Sequence, residues 1–363
     1  MNAPHQPAKG TGRGLTAIIL AAGQSTRMKT ATAKVMHPVC GRPMLAYVID
    51  ACRAAGAETI HVVVGFAKEC IVEAFSREPG IRFIEQREQK GTGHAVSMCA
   101  DALGEFEGDC IVIAGDMPLI RSETLADLVG GHRSTGAAAS LVTTHLADPA
   151  GYGRILREAD GAFEAIVEHR DCTAGQLAIQ EVNPSYYCFD AAGLFESLKK
   201  VTPNNAKGEY YLTEVLSILK KGGQHVRAAT ILPAEDATGV NSRAELAAVN
   251  RLMQQRILAY WMEQGVTIID PASTWIDSPA QIGADTVLMP FSYVEGAARI
   301  GSGCRIGPFA YVGSGARVED GAAVGPGALT AFDATTPDRR VSPGTSKRTV
   351  QISRRPPAQS GVS

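Results

Sequence analysis

The chain has 363 residues, 45% of them hydrophobic and 20% charged, with a formal net charge of -2. That length favours two domains over one, and the composition excludes a largely disordered chain. The near balance of charge gives no overall basic field for nucleic acid or an anionic membrane, and neither partner is expected. Eight cysteines are scattered without a C-x-x-C pair, which indicates neither a disulfide framework nor a structural zinc site. Reduced thiols and a cytoplasmic location are expected, and the first apolar run, Leu15 to Ala22, is too short for a membrane span.

Residues 1–14 form a polar leader with Pro and Gly, expected to be flexible. Thr16 to Leu20 is a continuous apolar run suited to a strand buried on both faces. His61 to Val64, Arg82 to Glu85, Cys110 to Ala114 and Ala138 to Thr143 share its character, with helical stretches such as Met44 to Ala54 and His94 to Leu103 between them. This alternation predicts a doubly wound α/β domain over 15–241, with ligands at the carboxyl ends of its strands. Ser242 and Glu245 fit a capping box, and Leu246, Val249, Met253, Ile257 and Tyr260 follow at helical spacing, so a linker helix is expected over 242–265.

Over 266–329 the sequence keeps a period of six. Ile276, Ile282, Leu288, Val294, Ile300, Ile306, Val312, Val318 and Val324 are aliphatic, and four positions after each stands a small residue, from Ala280 to Ala328. A helix cannot hold that phase, whereas a short parallel β-helix needs one inward aliphatic per strand and a small residue at each corner. Residues 330–363 lack core formers and are expected to be a disordered tail.

The first strand runs into Leu20, Ala21, Ala22 and Gly23, small residues that allow a ligand close to the backbone, with Arg27 and Lys34 adding positive charge beyond them. It is neither a Walker A loop nor a dinucleotide fingerprint, since both spacings are missing. Asp116 falls just after the apolar run Cys110 to Ala114, at a strand's carboxyl end.

Leu20 to Met28 with Lys34 resembles the signature of the sugar-phosphate nucleotidyltransferases. Gln86 to Ala95, Gly115 to Leu119, Gly151 to Ile155, Ile166 to His169, Asn205 to Thr213 and Gly239 to Asn241 make it similar to the uridylyltransferase half of the bifunctional bacterial enzyme that forms UDP-N-acetylglucosamine. The resemblance implies a Rossmann-like nucleotidyltransferase domain followed by a short left-handed β-helix of hexapeptide repeats. It implies joining of UTP to N-acetylglucosamine 1-phosphate with Mg2+ held by Asp116 and Asn241, and catalysis by Arg27 and Lys34. The nucleotide would lie against Leu20, Ala21, Ala22, Gly23, Gln86, Gln89, Gly91, Thr92, Gly115 and Asp116, and the sugar against Gly153, Glu168 and Asn183.

The sequence departs from that family's pattern at Ala33, where Pro is usual, at Ala114, where Tyr often precedes Gly-Asp, and at Pro184-Ser185, where Thr-Gly follows the Asn. The relatives' acetyltransferase residues have no counterpart, so acetyl transfer is not expected, and solenoids of this type imply a homotrimer. Another sugar 1-phosphate or nucleotide, or a non-catalytic sugar-nucleotide-binding protein, are the alternatives.

Overall fold

A computed structural model describes residues 13–24, 26–103 and 106–330. The expected leader up to residue 12 and the expected tail from residue 331 lie outside the described residues. Among these, 13–37 and 43–249 make up one compact unit, and 38–42 and 250–330 another. No helix among the described residues is long and apolar enough to cross a membrane.

The first unit is organised by a ten-stranded sheet. Its strands are β1 (Gly14–Ala21), β2 (Thr59–Val64), β3 (Ile81–Glu85), β4 (Gly108–Ala114), β5 (Ala139–His145), β6 (Gly153–Arg157), β7 (Phe163–Val167), β8 (Glu181–Asn183), β9 (Tyr186–Asp190) and β10 (Val226–Thr230). They run in the order β3-β2-β1-β4-β9-β5-β8-β6-β7, with β10 pairing β5. The β3-β2-β1-β4 half is parallel, as the apolar runs predict. Beyond it β9 lies antiparallel between β4 and β5, and β8, β6 and β7 continue antiparallel.

Burial on both faces explains the apolar runs. Ile19 of β1 and Ile113 of β4 enter one hydrophobic cluster with Leu45 and Ile49, while their neighbours Ile18 and Val112 enter the cluster on the opposite face with Val63 and Leu141. Helix Met44–Ala54 occupies its expected span. The single helix expected over His94 to Leu103 is instead two, Thr92–Ser97 and Ala100–Leu103.

Helix Arg243–Glu263 begins one residue after Ser242, whose hydroxyl accepts the Glu245 N–H at 3.2 Å. The reciprocal half of the capping box differs from expectation, because the Glu245 carboxylate accepts from the N–H of Asn241, at 2.7 Å, rather than from that of Ser242. The helix cap therefore also clamps the backbone of Asn241.

In the second unit, two-residue strands stack into three parallel sheets. Val287 pairs with Arg305 and Arg305 with Ala323, so one coil consists of three six-residue steps. All nine predicted aliphatics are buried, from Ile276 to Val324, and the small residues Ala280, Thr286, Ser292, Ala298, Cys304, Ala310 and Ala322 are buried beside them. The corners require left-handed backbone three residues after many of these aliphatics. Gly303, Gly315, Gly321 and Gly327 supply it without a side-chain clash, while Asp285 (φ 60), Phe291 (φ 58) and Phe309 (φ 54) adopt it as non-glycines. Phe291 and Phe309 are exposed and stack on each other with ring centroids 4.8 Å apart.

Candidate active site

The parallel half of the sheet ends in the segments that carry the expected phosphate-binding residues. β1 delivers Leu20 and Ala21, and β4 ends at Ala114 next to Gly115 and Asp116. The Gly115 N–H donates to the Leu20 carbonyl at 2.9 Å, pinning the two strand ends together. A Cβ on Gly115 would stand 3.2 Å from Val35 Cγ1, so the crossing tolerates only a small residue.

Lys34 opens the 3-10 turn Lys34–Met36, and its ammonium group joins two oxygens from distant parts of the unit. It pairs with the Asp116 carboxylate and donates to Asn241 Oδ1 at 2.9 Å. Asn241 is held in reach from both sides, by the Glu245 clamp on its own N–H and by the Val240 N–H donating to the Asp116 carbonyl at 3.0 Å. Asp116 and Asn241 thus already converge on a cation, and their hard oxygen donors suit Mg2+. Among the described residues no group of three or more His, Cys, Asp and Glu could hold a metal ion. An ion on these two oxygens would therefore complete its shell with water and phosphate oxygens, as Mg2+ commonly does at nucleotides.

The loop after β1 is braced by the segment expected to read the base. Gln89 donates to the Ala22 carbonyl at 2.8 Å and accepts from the Gln24 N–H at 3.3 Å, while Gly23 faces open space. Gln86 is buried, donating to the Gly91 carbonyl at 3.2 Å and lying 2.9 Å from His94 Nδ1. Gly91 has φ 106, and a Cβ there would meet the Tyr210 carbonyl oxygen at 2.6 Å. Only glycine fits this crossing, where Tyr210 N–H also donates to the Lys90 carbonyl. Thr92 accepts the Leu212 N–H at 3.1 Å, which fixes the edge of the Asn205 to Thr213 segment.

A cavity of about 620 Å³ connects the two sides expected from the sequence. Leu20, Arg27 and Thr92 line it on the nucleotide side, and Gly151, Glu168, Tyr187 and Thr213 on the sugar side. Ala114 is also in its wall, so the absence of an aromatic ring there leaves room in the cavity itself.

Glu168 accepts from the Thr213 hydroxyl at 3.4 Å, and burial holds its carboxyl above the usual glutamate range. Burial, with Asp171, Glu168 and Glu209 nearby, raises the Tyr211 phenol to about 12, leaving a hydroxyl that can donate at neutral pH. Gly153 backs directly onto this corner, since a Cβ on it would lie 3.6 Å from Glu168 Oε2.

Asn183 is placed differently from a free sugar ligand. It is buried, its Nδ2 donates to the Tyr187 hydroxyl at 2.6 Å, and its Oδ1 accepts from the Ser185 N–H at 3.1 Å. Tyr187 and Ser185 are the residues of this group that line the cavity. Ser185 has φ 69, a left-handed backbone at the position where the resembled family has Gly, which costs about 1 kcal/mol for a residue with a Cβ.

Tyr187, Lys207 and Thr213 also line the cavity, and none of them is singled out by sequence reasoning. For Lys207 and Thr213 the signal was their place in the Asn205 to Thr213 motif. Tyr187 reads as strand core.

A protein-family model of the MobA-like NTP transferase domain matches residues 17–210. A second, of bacterial transferase hexapeptide repeats, matches 279–314 and 297–331, in keeping with a left-handed β-helix. The "Bifunctional protein GlmU" of Pelotomaculum thermopropionicum is 45% identical over 278 residues, covering 77% of this chain and 60% of that protein. The protein of the same name from Geobacillus sp. (strain WCH70) is 46% identical over 274 residues, covering 76% of this chain and 59% of that protein. The chain thus spans about 60% of the length of these curated relatives. A solved UDP-glucose pyrophosphorylase complexed with UDP-glucose superposes with a TM-score of 0.56 at 19% identity, covering 67% of this chain and 99% of that one, and shares the fold.

The raised carboxyl of Glu168 gives a stability prediction with a definite sign. Such a group favours the fold below its unfolded value of about 4.3 and loses that contribution as pH rises through its higher folded value. Glu168→Gln should therefore melt above the parent at pH 7 and converge with it near about pH 3.5, where both side chains are neutral. A variant that melts below the parent at pH 7 contradicts the assignment of a desolvated carboxylate.

Proposed function

The chain belongs to the family of MobA-like NTP transferase domains, and from that premise we propose that it is a uridylyltransferase forming UDP-N-acetylglucosamine and pyrophosphate from UTP and N-acetylglucosamine 1-phosphate. The observation that carries this reading is the arrangement at the carboxyl ends of β1 and β4. Two cation-binding oxygens, Asp116 and Asn241, come together on Lys34, and a cavity lined by both expected substrate sides opens beside Ala114. The resemblance of the Gly151 to Ile155, Ile166 to His169 and Asn205 to Thr213 segments to the sugar-phosphate nucleotidyltransferases supports a sugar-phosphate substrate.

In the proposed reaction a phosphate oxygen of the sugar 1-phosphate attacks the α-phosphorus of UTP in line. The bond from that phosphorus to the bridging oxygen breaks, and pyrophosphate leaves with the electron pair. The attacking oxygen is already ionised at neutral pH, so no general base is required and positioning dominates. Mg2+ bound at Asp116 and Asn241 would supply charge neutralisation between the phosphates of the two substrates. Lys34, released from the two oxygens, pairs with the α-phosphate, and Arg27 at the cavity wall steadies the departing pyrophosphate.

Leu20 to Gly23 approach the triphosphate through the backbone. Gln86, Gln89, Gly91 and Thr92 shape the uracil side, while Gly153 and Glu168 hold the sugar, with Glu168 accepting from its hydroxyls. Asn183 acts through Tyr187 and Ser185, which it positions. The free cysteines fit a cytoplasmic setting, and the hexapeptide coils support a homotrimer.

Pyrophosphate release measured over a panel of nucleoside triphosphates and sugar 1-phosphates tests the activity. UTP with N-acetylglucosamine 1-phosphate is expected to be the best pair, with turnover lost without magnesium. Asp116→Ala should keep its melting temperature within a few degrees and lose at least about 100-fold in kcat, the scale for removing a group that stabilises transition-state charge. Another preferred pair would move the substrate assignment, and full activity in Asp116→Ala would remove the metal assignment. Sedimentation equilibrium should give three times the mass of one chain; a monomer at micromolar concentration rejects the trimer.

A further inference from the structure

Arg154, the residue after Gly153 on β6, is only 1% exposed. Its guanidinium donates to the Tyr152 carbonyl, to the Leu177 carbonyl at 3.5 Å and to His169 Nδ1 at 3.5 Å, and its Nε has no partner. No carboxylate lies within ion-pair distance of it among the described residues. In the same unit the buried carboxylates follow the opposite habit, Asp109 facing Arg13 and Arg133, Glu181 facing Arg157 and Asp236 facing Arg121. A buried cation without a counterion is costly, and such a group persists where its hydrogen bonds perform a task.

The task is legible at His169. That residue lines the 620 Å³ cavity next to Glu168, and its Nδ1 faces a guanidinium, which can only donate. A neutral ring that accepts there carries its proton on Nε2. In that tautomer the cavity-wall imidazole keeps its Nε2–H as a donor. On the reading of this cavity as the sugar-phosphate pocket, we propose that His169 donates Nε2–H to an oxygen of the sugar 1-phosphate. Arg154 is then the positioning residue that sets the ring's tautomer and orientation. Arg170 and Lys207, also in the wall, supply charge to the same substrate, while His169 supplies direction.

The test compares His169→Ala with His169→Gln, whose amide nitrogen reaches about as far as Nε2 and can still donate. His169→Ala is expected to raise KM for the sugar 1-phosphate about tenfold, the scale of one lost hydrogen bond to a charged group. KM for UTP and kcat should move less than about twofold. His169→Gln should recover most of the loss, and Arg154→Lys should raise the same KM without changing that for UTP. Equal KM values in His169→Ala and the parent, no rescue by Gln, or a rise confined to UTP each overturn the proposal.

A readout independent of turnover is nitrogen-15 NMR of the histidine rings in the full chain. The expected spectrum has His169 protonated at Nε2 alone, with that signal shifting on addition of N-acetylglucosamine 1-phosphate. Protonation at Nδ1, or no shift on saturation, overturns the assignment even if the His169 variants fold poorly. A parent protein that binds the sugar phosphate through His169 but releases no pyrophosphate would refute the proposed reaction while sustaining this inference.

Discussion

The ammonium group of Lys34 lies between the Asp116 carboxylate and the Asn241 amide oxygen, and the rest of the site depends on that convergence. The three residues are far apart in sequence, one following β1, one following β4 and one at the cap of helix Arg243–Glu263. Their meeting requires the parallel pairing of β1 with β4, the close crossing at Gly115 and the clamp of Glu245 on Asn241. Two oxygen donors left without a cation would repel each other's lone pairs, so the lysine holds the pair together in the ligand-free arrangement. In the proposed reaction the same charge is then available for the α-phosphate.

Around this cluster the protein spends hydrogen bonds on fixing walls. Gln89 braces the loop after β1, Thr92 braces the Leu212 backbone, and Asn183 holds Tyr187 and Ser185. Several side chains that resemble direct substrate ligands are thus engaged in supporting neighbours that line the cavity. Strain and desolvation collect in the same place, at Ser185 with its positive φ, at Glu168 with its raised carboxyl and at the unpaired Arg154. Such costs concentrate where function requires a particular geometry.

What the sequence revealed followed physical periodicity. The β-helix was legible because every coil repeats one requirement, an inward aliphatic at each sixth residue, and all nine are buried. The parallel strands were legible because burial on both faces leaves a continuous apolar run, as in Thr16 to Leu20. The antiparallel strands from Gly153 to Asp190 were not, since they are short and mix charged or polar residues with apolar ones, even where they are buried as Glu181–Asn183 is. The helix expected over His94 to Leu103 breaks between Ser97 and Ala100, which no periodicity signals. Arg154 was invisible for a different reason: an arginine beside a glycine reads as surface, and only tertiary packing shows it buried without an acid.

The central claim is that Asp116 and Asn241 form a cation site completed by the substrates' phosphates. Electron paramagnetic resonance of Mn2+ added with UTP reads it directly, because an ion held by the protein and nucleotide together gives a spectrum distinct from Mn2+–UTP in solution. The account predicts that immobilised spectrum for the parent and its loss in a variant carrying both Asp116→Ala and Asn241→Ala. An unchanged spectrum in the double variant would contradict it.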